Sequence, residues 1–458
     1  MKLTLGQIAD WIYADGDFAS GDEAFGYSID SRTLAAGELF FAVTGDRVDG
    51  HDYVAAALAN GAVAAVVSRH WLASDEIDPG KLLWVPESED CVLRAMQTLA
   101  REVRRAWGKR LIGITGSAGK TTTKEAVAQV LGARFNVLKS AGNLNNHFGV
   151  PLQLLRLELE HDVAVIEMGM NHAGEIAALA RIAEPDWGVV SNVAPVHLEH
   201  FSEGIAGIAK AKYELVASLP PEGIAILNGD DPFVSKFGDG MGERAILYGV
   251  GEGCTVRAEA IVERGDEGLS FVAIAGNERA EVTLHLLGRH NVLNALAAIA
   301  TGVEAGIPLD ECAAALGELR AADKRGTVLD WHGARIVNDC YNSNPLALDA
   351  MVDALMAMLA ERHIVVAGEM LELGPEAAAL HAACGRHMAE RQVDVVLGVR
   401  GHAAALVEAA SAAGVAASFV ETPAEAGAWL AANLRAGDAV LLKASRGVKL
   451  EGALALLT

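Results

Sequence analysis

Residues 116–121 read Gly-Ser-Ala-Gly-Lys-Thr, directly after the apolar run 111–115 and before a stretch of helix formers. Small residues, then a lysine, then a hydroxyl, make a phosphate cradle. Gly116 and Gly119 let the backbone N–H groups around Ser117 and Ala118 close on phosphate oxygens. The following helix turns its positive end toward them. Lys120 reaches the outer phosphates, and Thr121, with Thr122 beside it, offers a hydroxyl to Mg²⁺. The loop is a shortened one, because the strict pattern G-x-x-x-x-G-K-[ST] wants glycine at 114, where Ile114 stands. A chance glycine turn between strand and helix is the bland alternative, and the Gly-Lys-Thr triple weighs against it. Glu167 closes the apolar run 163–168 and offers Mg²⁺ the hard oxygen it prefers. His197 falls just past the run 187–193. A lone histidine is commonly structural, so its interest lies in sharing an edge with Thr121 and Glu167. Asn291 and Asn294 share one helical face and are suited either to capping or to pairing with an adenine edge. Arg325 lies in DKRGT, and Asp339, Tyr341, Asn342 and Asn344 lie in a turn too polar for a plain strand-to-helix connection. Lys443, Ser445, Arg446 and Lys449 crowd the turn after the last buried run. Lys210 and Lys212 sit in an apolar helical stretch, where pattern alone makes them solvated or snorkelling cations.

These groups need strands to hold them at one edge. Residues 1–85 mix short elements: a helix face of Leu5, Ile8, Trp11 and Ile12, then strands at 38–43 and 62–67 around the helix DYVAAALAN. A charged helix at 89–107 leads to the strand at 111. Strands at 163–168, 187–193 and 223–228 then alternate with helices. That rhythm predicts an α/β fold with a mostly parallel sheet and ligands at the carboxyl ends of its strands. The segment 319–330 breaks the rhythm, and strands at 334–338, 363–368, 393–399 and 438–443 restart it. Three domains are expected: 1–85, 86–320 and 321–458.

Composition narrows the partners. A net charge of −23 over 458 residues argues against a nucleic-acid backbone. The five cysteines form no C-x-x-C pair, as expected of free thiols in a reducing cytoplasm. The N-terminus turns acidic too soon for a signal peptide, and no apolar run approaches the ~20 residues needed to span a bilayer. A soluble cytoplasmic protein is expected.

Longer stretches carry a family resemblance: DSR (30–32), GDRVDGHDYVAAALANGA (45–62), GNLNNHFGVP (142–151), EMGMNHAGEI (167–176), AKYE (211–214), DCYNSNP (339–345), GEMLELG (368–374) and KASRGVKLE (443–451). With the short phosphate loop and the N-x-A-P-x-H-L stretch, they resemble the Mur ligases, ATP-dependent amide ligases of peptidoglycan precursor synthesis. They are most similar to the branch that joins D-alanyl-D-alanine to UDP-MurNAc-tripeptide. Ala444 and Ser343 depart from that pattern, where glycine and alanine are usual. The resemblance implies a UDP-substrate domain, a central ATPase domain and a C-terminal Rossmann-like domain, acting as a monomer. It implies ATP and two Mg²⁺ ions, with Thr121, Glu167, His197 and a carbamylated Lys212 as metal ligands and Lys120 as the phosphate-binding cation. Asn291 and Asn294 would face adenine, and Arg325 and Asp339 the phosphates and ribose. Ser31, Arg32, Gly45, Asp49 and His51 would hold the UDP moiety. Asn143, Asn145, Asn146, Tyr341, Asn342, Asn344, Ser445 and Arg446 would hold the rest of the substrates. The third residue of the tripeptide is left open between diaminopimelate and lysine. Rival readings are a sibling ligase, a folylpolyglutamate synthase and a nucleotide-driven switch.

Overall fold

The computed structural model describes residues 1–45, 47–196 and 198–457. It is a three-domain α/β fold built on three principal sheets. The first has four parallel strands in the order Gly26–Ser28, Glu38–Phe41, Ala64–Ser68, Leu82–Val85. The central sheet runs from Glu278–Leu284 through Leu269–Ala275, Val256–Glu263, Ala245–Gly249, Ile224–Asn228, Trp187–Val190, Arg110–Thr115 and Val163–Glu167 to Val137–Lys139. The third runs Thr327–Trp331, Ala334–Asn338, Asp438–Lys443, Arg362–Gly368, Val395–Val399, Ala416–Val420 and is parallel after its first pair.

Near-continuous apolar strands explain the parallel part of the central sheet, since helices cover both its faces. Leu111 to Thr115, all of Val163–Glu167 and all of Trp187–Val190 are buried. The strands 256–284 read differently. Their alternating burial, as in buried Val256 and Ala258 against half-buried Arg257 and Glu259, suits an antiparallel extension with one wet face. The sequence rhythm of strand and helix gave no sign of this extension.

The register positions the chemistry. Arg110–Thr115 lies between its two neighbours, with Ile114 paired to Glu167 and Thr115 paired to Val190. Three strands therefore end level, and the turns after 115, 167 and 190 emerge side by side. The linking helix Cys91–Trp107 buries Met96, Leu99, Val103 and Trp107, each worth roughly 1.5–3 kcal/mol of transfer free energy. Its Arg104 donates to the carbonyls of Ala183 and Glu184 and to Asp186, while Asp186 also accepts the Leu111 N–H. The helix is thus fixed to the base of the site. Among the described residues no helix is long and apolar enough to cross a membrane. All five cysteines are free.

Candidate active site

A cleft of about 740 Å³ opens at the carboxyl edge of the central sheet, between the phosphate loop and the third sheet. The loop is held from the neighbouring strand end. Ser117 and Ala118 donate their N–H groups to the carbonyl and side chain of Asn192, at 3.0 and 2.9 Å. Ser191 Oγ and Asn192 Nδ2 donate in turn to the Ala118 carbonyl. Gly116 is obligatory: a Cβ there would lie 1.9 Å from Ser191 Oγ. Two of the expected phosphate donors are therefore already engaged. The amides that a helix leaves unpaired are those of its first turn, Lys120, Thr121 and Thr122. Lys120 Nζ donates to the Gly116 carbonyl at 2.7 Å, closing the loop on itself. Burial pulls its pKa below the ordinary lysine range. Glu167 opposes that shift, and Arg325 adds to it from across the cleft.

Glu167 is almost fully buried. Its Oε2 accepts from Thr121 Oγ1 at 2.8 Å and its Oε1 from Asn145 Nδ2 at 2.8 Å. A hydroxyl and a carboxylate already in contact fit Mg²⁺, a hard cation satisfied by one or two protein oxygens with water and substrate phosphates. No group of three or more His, Cys, Asp or Glu side chains fit for a metal occurs among the described residues, so a bound ion would lean on the nucleotide. Lys212 lies in the helix Ile205–Ala217 and is buried. Its pKa falls well below the usual lysine value, first through burial and then through Lys120. Glu214 and Glu175 counter the shift. Lys212 therefore stands within electrostatic reach of Lys120 and does not line the cleft. His197 lies outside the described residues.

The asparagine pair has a role that pattern did not foretell. Asn291 Nδ2 donates to the Leu287 carbonyl, Asn294 Nδ2 to Asn291 Oδ1, and Thr123 Oγ1 to Asn294 Oδ1. Both side chains line the cleft, but this chain of bonds first ties the helix His290–Glu304 to the helix Lys120–Leu131. Asn294 also abuts Gly119, whose φ is +79° and whose Cβ would lie 2.8 Å from Asn294 Oδ1.

The opposite wall comes from the third domain. The Arg325 guanidinium lies 3.8 Å from the Tyr341 ring centroid, and Arg446 stands 5.9 Å from the same ring. Asp339 pairs with Lys443, which also donates to the Asn342 carbonyl at 2.9 Å. Asn344 lines the cleft and caps the helix Pro345–Met356 through Ala347 N–H. Ser445 is set back, joining the Ser343 carbonyl to Leu371 N–H.

The remaining candidates are dispersed. Asn143 lines the cleft. Asn146 caps the next helix through Phe148 and Gly149 N–H and faces a separate cavity. In the first domain Ser31 is buried, Gly45 is exposed, and Arg32 is exposed and paired with Asp30 at 2.7 Å. His51 is buried and held by two neighbours. Its Nδ1 faces Asp49 at 2.7 Å and its Nε2 accepts Ser68 N–H at 3.0 Å, so the buried ring links Asp49 to the strand Ala64–Ser68. Sequence reasoning gave no role to Ser191, Asn192 and His290, which line the cleft as well. A polar pair right at a buried strand end was the available signal for the first two.

A phosphate loop on a parallel sheet, facing a polar and cationic wall from another domain, is the layout of a nucleotide-dependent ligase that brings two further substrates to one edge. The chain belongs to the Mur ligase family. Three family models match it: the Mur ligase catalytic domain at residues 25–98, the Mur ligase middle domain at 114–302 and the glutamate ligase domain at 324–446. The UDP-N-acetylmuramoyl-tripeptide–D-alanyl-D-alanine ligase of Bacillus subtilis is 35% identical over 93% of this chain and 91% of its own length. A crystal structure of MurF from Acinetobacter baumannii superposes with a TM-score of 0.90 at 29% identity, covering 100% of this chain and 99% of that one. The MurF ligase of Thermotoga maritima in complex with ADP gives 0.80 at 28% identity, over 94% and 96%. A folylpolyglutamate synthase of Mycobacterium tuberculosis, at 16% identity and 0.63, shares the fold alone.

Proposed function

We propose that this protein joins D-alanyl-D-alanine to UDP-MurNAc-tripeptide at the expense of ATP, forming ADP, phosphate and UDP-MurNAc-pentapeptide in the cytoplasm. The observation that carries the reading is the level ending of three strands, which sets Lys120, Thr121 and Glu167 on one edge opposite Arg325. High-coverage similarity to ligases of that name supports the substrates. In this reading the UDP group sits on the first domain, residues 1–85, near the exposed Arg32. ATP sits on the second, residues 86–320, and the dipeptide on the third, residues 321–458, beside Asn342 and Arg446. The enzyme is proposed to act as a monomer.

In this account the first-turn amides and Lys120 hold the β- and γ-phosphates. Lys120 exchanges its bond to the Gly116 carbonyl for one to phosphate. The tripeptide carboxylate attacks the γ-phosphorus, ADP leaves, and an acyl phosphate forms. The dipeptide amine then attacks the acyl carbon, loses a proton and expels phosphate. Arg325 and Lys120 offset the charge that builds during transfer. Mg²⁺, when bound at Thr121 and Glu167, supplies Lewis-acid stabilisation of the same charge. Burial that lowers the pKa of the Lys212 amine supports its carbamylation, in which the amine adds to CO₂ and releases a proton to leave an anionic oxygen donor. Walls from two domains exclude water from the acyl phosphate.

Phosphate release tests the reading. Turnover is expected only when ATP, UDP-MurNAc-tripeptide and D-alanyl-D-alanine are all present. Equal turnover with ATP alone would refute it and favour a nucleotide-driven switch.

A further inference from the structure

A second cavity of about 350 Å³ lies beside the cleft and meets it at Gly169, two residues from Glu167. The linking helix Cys91–Trp107, the turn at 146–147 and the helix Glu175–Ala183 form its walls. In a chain of net charge −23 this cavity is cationic: Arg94, Arg101 and Arg181 line it, with His147 among them. Internal carboxylates neutralise these arginines poorly. Arg94 is 4.0 Å from Glu89 and Arg101 is 3.6 Å from its chain neighbour Glu102. Arg181 makes no ion pair among the described residues. Elsewhere the protein pairs arginines closely, as in Arg105 with Glu184 and Arg134 with Glu311, both at 2.6 Å. Glu175 borders the cavity too, but its carboxylate accepts Asn171 N–H at 2.7 Å and faces His172 at 3.2 Å. The Nε of Arg101 is buried without a hydrogen-bond partner. A buried donor left unmet is costly unless a ligand meets it. Guanidinium forks match carboxylates better than any other common anion except phosphate.

The two cavities share Gly169, so a peptide whose reacting carboxylate enters the cleft beside Thr121 and Glu167 has the arginines next to it. We infer that this arginine cavity receives the peptide of the UDP-linked substrate and selects a third residue whose side chain bears a carboxylate, as diaminopimelate does, over one ending in an amine alone, as lysine does. The inference rests on the function proposed above.

The test compares UDP-MurNAc-tripeptides ending in diaminopimelate and in lysine, using the full-length enzyme with Arg181→Gln and Arg94→Gln variants. Both side chains are exposed, so folding is expected to survive. Losing one charge-assisted hydrogen bond corresponds to a roughly 10- to 100-fold change. The wild type is expected to favour the diaminopimelate substrate at least about tenfold in kcat/KM. Each variant should raise KM for that substrate by about tenfold, leave KM for ATP and for D-alanyl-D-alanine in place, and narrow the preference. Arg181→Glu should shift the preference toward the lysine substrate, which a merely structural role would not do. Equal or better use of the lysine substrate by the wild type, or variants that keep both KM and preference, would overturn the inference while leaving the ligase reading intact. A wild type that turns over neither tripeptide would overturn both.

Discussion

Replacing Glu167 by glutamine separates the structural from the chemical role of the buried carboxylate. The side chain is 2% exposed and accepts two hydrogen bonds of 2.8 Å, from Thr121 and Asn145. A glutamine keeps the volume but has one acceptor oxygen and one donor group, so one of the two neighbours loses its acceptor. That mismatch costs about 1–3 kcal/mol. Against it, a buried charge is removed, and effective desolvation penalties are several kcal/mol per ion. The two effects oppose, so the net change in stability should stay within about 2 kcal/mol. For a domain of this size that is a Tm shift below about 8 °C. Activity has no such offset. The carboxylate that touches Thr121 is lost, together with the anion that favours the charged form of Lys120. Removing one preorganised electrostatic group typically costs 10²–10³ in kcat. The assay is calorimetry of the unliganded protein alongside phosphate release at saturating substrates, repeated over a range of Mg²⁺. Full activity at ordinary Mg²⁺ in a folded variant would refute the reasoning, and so would global unfolding of the variant.

Three further outcomes are expected. Lys212→Ala should abolish ligation while ATP affinity, measured by calorimetric titration, changes by less than about threefold, because the side chain is buried and does not line the cleft. Gly119→Ala should lose both activity and stability, since the residue has φ of +79° and its Cβ would sit 2.8 Å from Asn294 Oδ1; unchanged melting would count against that packing. His290 has its pKa pushed down to about 4, chiefly by burial, with Asp339 opposing and Lys443 assisting. Below the unfolded value near 6.5 the unfolded chain binds a proton that the native ring refuses, so stability is constant above that pH and falls as pH drops toward 4. The slope of that fall is up to about 1.4 kcal/mol per pH unit. Denaturant titrations of wild type and His290→Gln without nucleotide should diverge in that window, and parallel curves would contradict the burial of the ring.

Much of this was legible in sequence because the signals were local. A strand, a loop with Gly-Lys-Thr and a helix are contiguous, and Glu167 closes an unbroken apolar run, so each could be read without knowing its neighbours. The long motifs carried the family. What could not be read was competition between neighbours that are distant in sequence. Asn291 and Asn294 looked free to meet a base, yet their bonds go first to Leu287, to each other and to Thr123. His51 sits in a motif, but its ring nitrogens are claimed by Asp49 and Ser68. Ser117 and Ala118 seemed to offer amides to phosphate until Asn192, more than seventy residues away, proved to hold them. The antiparallel strands 256–284 were missed because two of the three, Val256–Glu263 and Glu278–Leu284, intersperse polar residues and lack the unbroken apolar run of the parallel strands.

The central claim is that this cleft activates a carboxylate by phosphoryl transfer before the amide forms. Tripeptide substrate labelled with ¹⁸O in its reacting carboxylate tests it most directly, read by mass spectrometry of the phosphate released during complete turnover. The account predicts that each phosphate carries one oxygen from the carboxylate. Unlabelled phosphate formed at the rate of ligation would contradict it.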